Sequence, residues 1–505
     1  MKRRDFLETL GLATMVSPIP VPPGMTGIAG TTSTATAQEN DSAPEPVVIG
    51  TRLECFVDSF LIGALDGVTQ KLHEPRDEGP VLFFDRPWEG PFSGYVTVFH
   101  DGIRYRMYYR GGPTPGNGDN SDEQTCYAES EDGKIWTKPD LGLYEWGGTR
   151  GNNILLDGEA DLSHNFAPFH DTNPDVPSEE RYKALCGNEK VGLIAFVSAD
   201  GIHWRKLREE PVAKHRNYAC DSQNVAFWSE SGGKYLCYLR VWDSYWSGFR
   251  SVARIESPDF RTWTPDGGLF MTYGDSEREH IYTNQTTPYY RAPHICLATA
   301  ARFVPDKRAI SAEDAQKCQV SDEYDHDCSD AVLMSTRGGN VYDRTFMEGL
   351  IRPGTDPGDW VSRTNYPARG VVPTGMSEMS MYAQKYYAQP RARLHRYSLR
   401  VDGFASIHAP YSGGTFRTKP LVFTGENLYI NAGTSAPGTI RVEIQTVSGE
   451  SIPGYTWDQS PVLTGNWIEK KVVWADDRNV AELAGTPVVL RFFMKDADLY
   501  SLRFL

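Results

Sequence analysis

The 505-residue sequence places no C-x-x-C spacing among its eight cysteines, so it encodes neither a zinc ribbon nor a thioredoxin-type redox pair. It has no G-x-S-x-G elbow and no glycine-rich loop leading from a strand into a helix, which removes a serine hydrolase and a nucleotide site from the leading readings. Beyond the N-terminus it lacks any apolar run near the ~18 residues a membrane helix needs, and no membrane partner is expected of the mature chain. Positive charge is in deficit as well. With 51 Lys and Arg against 66 Asp and Glu the net charge is −15, which argues against a nucleic-acid partner. Amphipathic helical periodicity is nearly missing, Ala312 to Lys317 being the one stretch that reads as a helix.

What is present begins with an address. Lys2-Arg3-Arg4-Asp5-Phe6-Leu7, a modest apolar stretch and Ala35-Thr36-Ala37 read as a twin-arginine export signal over 1–37 with a small-residue cleavage site. Residues 38–46 read as a flexible leader. A periplasmic or extracellular setting follows as an expectation, and it permits disulfides. Cys318 and Cys328 are the pair best spaced for one. Asp322-Glu-Tyr-Asp-His-Asp327 offers oxygen ligands for a structural calcium, although a solvated acidic loop is the stronger reading. No other metal and no cofactor is expected.

From Val47 onward short runs of Val, Ile, Phe, Tyr and Trp alternate with Gly, Asp, Asn and Pro, the pattern of an all-β chain. One stretch recurs. S-E-D-G-K-I-W starts at Ser130, S-A-D-G-I-H-W at Ser198, S-P-D-F-R-T-W at Ser257, and a looser copy, S-T-R-G-G-N-V-Y, at Ser335. Each interval has room for about four strands, so the spacing predicts propeller blades. The Ser and Asp fix a turn through their own backbone and the Trp packs between sheets, which makes the repeat structural. Counting strands back from each copy gives blades with inner strands near Gly94, Asn165, Asn224 and Thr286. A fifth blade is assigned to Met379–Tyr382, Ala392–Ser398 and Gly403–Ile407, with Leu53–Leu61 closing the ring. The propeller is thus placed at 47–407. After it, alternation such as Ile440-Arg-Val-Glu-Ile444 predicts a β-sandwich at 408–505.

A five-bladed propeller of S-x-D-G-x-x-W turns joined to a C-terminal β-sandwich resembles the invertase and arabinanase type of glycoside hydrolases, families 32, 43 and 68. The resemblance is one of architecture, since W-M-N-D-P-N and the arginine-aspartate-proline signature are both absent. It implies an exported glycoside hydrolase with carbohydrate as its partner.

Residues just before the inner strands of a propeller line one mouth of its channel. That rule singles out Asp85, Glu89 and Ser93, then His164 and Asn165, then Asp221, Ser222 and Asn224, then Glu279, His280 and Asn284, and finally Ser377 and Glu378. Glycoside hydrolysis needs two carboxylates, one of them protonated. Glu378 is cast as general acid and Asp221 as base or nucleophile, with Glu89 in reserve. His164, Asn165, Asn224, His280 and Asn284 suit sugar hydroxyls. Arg291 or Arg302 suits a sulfate or uronate through bidentate bonds. Trp88, Trp228 and Trp242 suit stacking on sugar faces. Two other readings use the same mouth: a non-catalytic lectin, and a lyase on anionic polysaccharide. A sulfatase is disfavoured because no C-x-P-x-R motif is present.

Overall fold

The computed structural model describes residues 45–114, 122–156, 160–215, 219–244, 247–264 and 268–505. The twin-arginine segment at 1–37 and nearly all of the leader lie outside the described residues.

Five antiparallel sheets make a β-propeller. Blade one runs from its inner strand Gly94–His100 through Tyr105–Gly111 and Gln124–Ser130 to Ile154–Leu156. Blades two and three repeat the order, with inner strands Ala167–His170 and Val225–Ser229. In blade four the inner position is shared by His280–Thr283 and Thr287–Tyr289, both paired with the long second strand Ala292–Val304. Inner strands of neighbouring blades touch all the way round, and a bridge from Thr97 to Arg369 joins blade one to blade five. Each gap between blades is filled by its own apolar cluster; Tyr108, Phe166 and Phe196, for example, fill the gap between blades one and two.

Blade five departs from expectation. Its inner position is two short pieces, Tyr366–Pro367 and Val372–Pro373. Glu378–Lys385 is therefore the second strand, followed by Arg393–Arg400. The strand that closes the ring is Arg76–Phe83, paired with Arg393–Arg400, and not Leu53–Leu61. Residues 403–407 do not belong to the propeller either. Ala405–Ala409 pairs with Thr69–Leu72 and with the chain's last strand, Val489–Phe504, in the second domain.

That second domain, the β-sandwich, takes strands from both sides of the propeller. Val489–Phe504 pairs with Leu428–Gln445, Gly414–Thr418 and Glu54–Cys55, and Gly414–Thr418 pairs in turn with Ile62–Asp66. Ile440, Val442 and Ile444 are fully buried, as their alternation with polar residues requires. They join Phe56, Phe416, Phe492 and Trp474 in one core. The propeller thus spans Arg76–Arg400 rather than 47–407.

The repeated turn is built as its chemistry demands. Ser130 Oγ accepts from Gly133 N at 2.9 Å, and Asp132 Oδ1 accepts from Lys134 N at 2.8 Å and Ile135 N at 2.9 Å. Ser198 with Asp200, and Ser257 with Asp259, repeat the Asp bonds to the two following amides. Phe260 takes the place of the glycine and keeps its left-handed backbone, φ 63°. In the fourth copy the Asp position is Arg337, which instead reaches Glu54 and Asp58 of the sandwich at 2.9 and 2.8 Å.

All eight cysteines are free thiols, Cys318 and Cys328 included. In the acidic loop Asp325 is taken by Arg308 and His326, and Asp327 accepts from Asp306 N at 2.9 Å. Among the described residues no group of three or more His, Cys, Asp or Glu is placed to hold a metal ion, and no helix is long and apolar enough to cross a membrane.

Candidate functional site

The channel has two ends, separated by a polar floor. Gln285 Nε2 donates to Gln223 Oε1 at 2.5 Å and to Pro367 O at 3.0 Å, and Gln223 Nε2 donates to Thr97 Oγ1 at 3.0 Å. Below it the buried Arg369 donates to Pro168 O and to Ala226 O. Blades one to five are thereby tied together across the axis.

At the end where the inner strands finish lies a cavity of about 310 Å³, lined by Phe99, Phe169, Phe227, Trp228, Tyr289 and Tyr290 among others. Its wall is mainly apolar. Trp228, expected to stack on sugar, belongs here.

At the end where the inner strands start, charged and aromatic groups interlock. Tyr95 donates from its hydroxyl to Asp221 O at 3.2 Å, and its ring meets His164 at 5.4 Å. His164 Nδ1 stands 2.7 Å from Glu123 Oε2. Arg110 lies 3.5 Å from Glu123, 3.1 Å from His164 Nδ1 and 4.6 Å from the Tyr95 ring. On the far side Arg240 meets Asp221 at 3.3 Å and stacks on Trp242 and Tyr282. Burial works to raise the Glu123 carboxyl, but Arg110, His164 and Arg363 outweigh it and hold it below the ordinary glutamate range. His280 borders the same cluster, with Nδ1 3.2 Å from Arg250 N. Burial, then Arg250 and Arg240, push its imidazole down.

Of the residues expected at this mouth, Asp221, His164 and His280 are brought together. Glu378 is not. It opens the second strand of blade five, six residues from Gln384, whose side chain sits against Gly94 at the mouth. At the rise of a strand that is about 20 Å from the mouth. There it pairs with Lys134 at 2.8 Å and Arg396 at 3.1 Å. Burial raises its carboxyl, and Lys134, Thr374 and Arg396 more than reverse that, which does not suit a general acid.

Glu89 is spent inside blade one, accepting from Tyr109 Oη and Lys138 Nζ, each at 2.6 Å. Trp88 is buried, donating to Asn153 Oδ1 at 2.8 Å. The asparagines are staples. Asn165 donates to Gly187 O at 2.8 Å and Ser222 O at 3.1 Å and accepts from Gly187 N, which joins blades two and three. Asn224 bonds Ser222 O and Arg240 N, and Asn284 bonds Tyr238 O and Thr286 N. Arg302 is fully engaged by Asp330 and Glu279. Arg291 is held by Asp402 at the sandwich. None of these seven faces the mouth as a free ligand group, because each has its polar atoms committed within the fold.

Glu123, Arg110, Arg240, Arg250, Arg363, Tyr95 and Tyr282 belong to the site without having been singled out. Arg110 stands near the end of the second strand of blade one and Arg240 in the later half of that of blade three, so the positional signal existed one strand farther out.

No protein-family model and no curated protein matches this chain. Solved structures do. A fructofuranosidase from Schwanniomyces occidentalis complexed with fructosylnystose is 8 % identical over 86 % of this chain and 98 % of its own, with a TM-score of 0.37. A family 32 β-fructofuranosidase from Bombyx mori is 10 % identical over 84 % and 94 %, TM-score 0.38. An N-acetylgalactosamine deacetylase from F. plautii, in complex with blood group B trisaccharide, is 11 % identical over 66 % and 95 %, TM-score 0.41.

Proposed function

We propose that this protein hydrolyses glycosidic bonds of an oligo- or polysaccharide at the mouth where the inner strands start. The observation that carries the reading is that two carboxylates and an imidazole share one end of the channel: Tyr95 bonds the Asp221 main-chain carbonyl and its ring meets His164, His164 stands against Glu123, and the Asp221 carboxylate meets Arg240 beside Trp242 and Tyr282. Asp221 is the more open carboxylate, its side chain 42 % exposed. It takes a proton from water, whose oxygen bonds the anomeric carbon. His164, with Nδ1 committed to Glu123, gives a proton from Nε2 to the leaving oxygen as the glycosidic C–O bond breaks. Glu123, held ionised, supports the imidazolium that makes this transfer.

Export by the twin-arginine route belongs to the same reading, and rests on Lys2-Arg3-Arg4 and Ala35-Thr36-Ala37. The substrate is then a glycan met outside the cytoplasm. The test is a screen of plant, algal and microbial glycans for new reducing ends, followed by Asp221→Asn and His164→Gln on whichever is cleaved. Loss of about 10²–10⁴ in turnover from each is expected of acid/base groups. An Asp221→Asn variant with wild-type turnover overturns the assignment.

A further inference from the structure

Three guanidiniums surround the ring of Tyr282: Arg240 at 4.9 Å, Arg250 at 5.4 Å and Arg363 at 5.6 Å from its centroid. They come from the second and third strands of blade three and from the segment leading into blade five. Like charges this close, away from bulk water, need anions beside them. Arg240 has Asp221, but among the described residues no carboxylate lies within 4.0 Å of Arg250 or Arg363. The nearby acids are engaged elsewhere: Glu279 on Arg302 and Arg344, Asp243 on Arg278, and Glu123, whose charge Arg363 also favours, on Arg110 and His164.

The donors are unmatched as well. Arg240, its side chain 2 % exposed, has neither Nε nor Nη1 hydrogen-bonded, and Nε of both Arg250 and Arg363 is buried without a partner among the described residues. A guanidinium carries five N–H donors, and leaving buried ones unmade is destabilising. Burial and the neighbouring Arg240 press further against the charge on Arg250. All this sits in a chain whose net charge is −15, so the patch runs against the overall balance.

We propose that Arg240, Arg250 and Arg363 form a receptor for an anionic oxygen group on the sugar, a uronate carboxylate or a sulfate ester, seated beside Tyr282, and that the glycan taken at this mouth is acidic. This rests on the mouth being the sugar site. Planar forks match carboxylate and sulfate oxygens two at a time, and the anion supplies the acceptors that the fold withholds.

Calorimetric titration of the whole protein tests this, using oligogalacturonides, oligoglucuronides, alginate oligosaccharides and sulfated galactan oligosaccharides against neutral galactan, glucan and mannan oligosaccharides. At least one acidic class binds tenfold or more tighter than the neutral glycans, and the class that binds separates carboxylate from sulfate. Glu378→Gln, at the other end of the propeller, retains that binding. Arg250→Met and Arg363→Met each reduce it at least tenfold while circular dichroism is unchanged, and Arg363→Lys recovers part. Should a Met variant fail to fold, the Lys variant and the acidic-to-neutral ratio of the wild type decide. Equal binding of neutral glycans, no binding of any acidic one, or folded Met variants that keep the preference would overturn the proposal. Arginine-dependent binding without cleavage leaves this inference standing and removes hydrolysis. Cleavage of a neutral glycan abolished by Asp221→Asn does the reverse.

Discussion

Arg291, at the turn between the inner and second strands of blade four, donates from Nη1 to Oδ2 of Asp402 at 2.5 Å, across the boundary between propeller and sandwich. Asp402 has no exposed side-chain surface. Its carboxylate also accepts from Tyr289 Oη at 2.7 Å, Ser501 Oγ at 2.7 Å and Asn431 Nδ2 at 3.0 Å. One buried anion therefore holds both domains.

Asp402→Ala leaves Arg291 without its counter-ion and three further donors without an acceptor. Removing one partner of a buried pair costs about 3–5 kcal/mol. Urea unfolding measures it, and a loss under 1 kcal/mol would show that Asp402 does not hold the two domains together.

Phe260 sets two costs against each other. Its left-handed backbone disfavours a side chain by about 1–2 kcal/mol, yet the ring is fully buried against Trp263, Tyr235 and Phe169. Losing a buried phenylalanine costs about 3–5 kcal/mol. Phe260→Gly is accordingly destabilising by about 2–3 kcal/mol; a variant that melts higher than wild type would mean the strain dominates.

The turn at Asp200 makes stability depend on pH. Burial opposes ionisation there, but His203, the amides of His203 and Ile202, and Ser198 together bring the carboxyl down to about 2. A carboxyl lowered in the folded state stabilises above its unfolded value, near 3.9, and that contribution is lost as pH falls toward 2. The gap in stability between wild type and Asp200→Asn should shrink between pH 4 and pH 2. A gap that is constant over this window contradicts the assignment.

Glu378→Gln separates the two ends of the propeller. It weakens a partly exposed pair with Lys134 and one with the buried Arg396, which keeps Glu78, for a stability loss of about 1 kcal/mol. Turnover of the glycan that Asp221 serves stays within twofold of wild type. A thousandfold loss in initial-rate assays would return Glu378 to the catalytic set.

The blades were legible because short β-branched and aromatic runs are bounded by turn residues and because each repeated turn marks where one blade ends. Blade five was not. Tyr366–Pro367 and Val372–Pro373 are too short and too rich in proline to read as an inner strand, so the sequence pattern makes the strand after them the first and puts Glu378 at the wrong end. Arg76–Phe83, with Arg-Asp-Glu-Gly-Pro at its start, has the polar composition of an edge and nothing that marks it as the closing strand. The asparagines before the inner strands looked like ligands because burial is invisible in sequence; each proved to be a backbone staple. The arginine set escaped notice because its members lie on three different segments, and only the fold brings them to one tyrosine.

The strand that closes the ring also sets a schedule for folding. Ser398 and Glu78, joined by a hydrogen bond at 2.6 Å, are 320 residues apart, and Val47–Gly50 waits similarly for Leu421–Phe423. Blades one to four can assemble in order as the chain is made, each from local hairpins. Arg76–Phe83 stays an unpaired edge until nearly four-fifths of the sequence exists, and that late pairing closes a loop of 320 residues. High contact order of this kind slows folding and exposes strand edges while they wait.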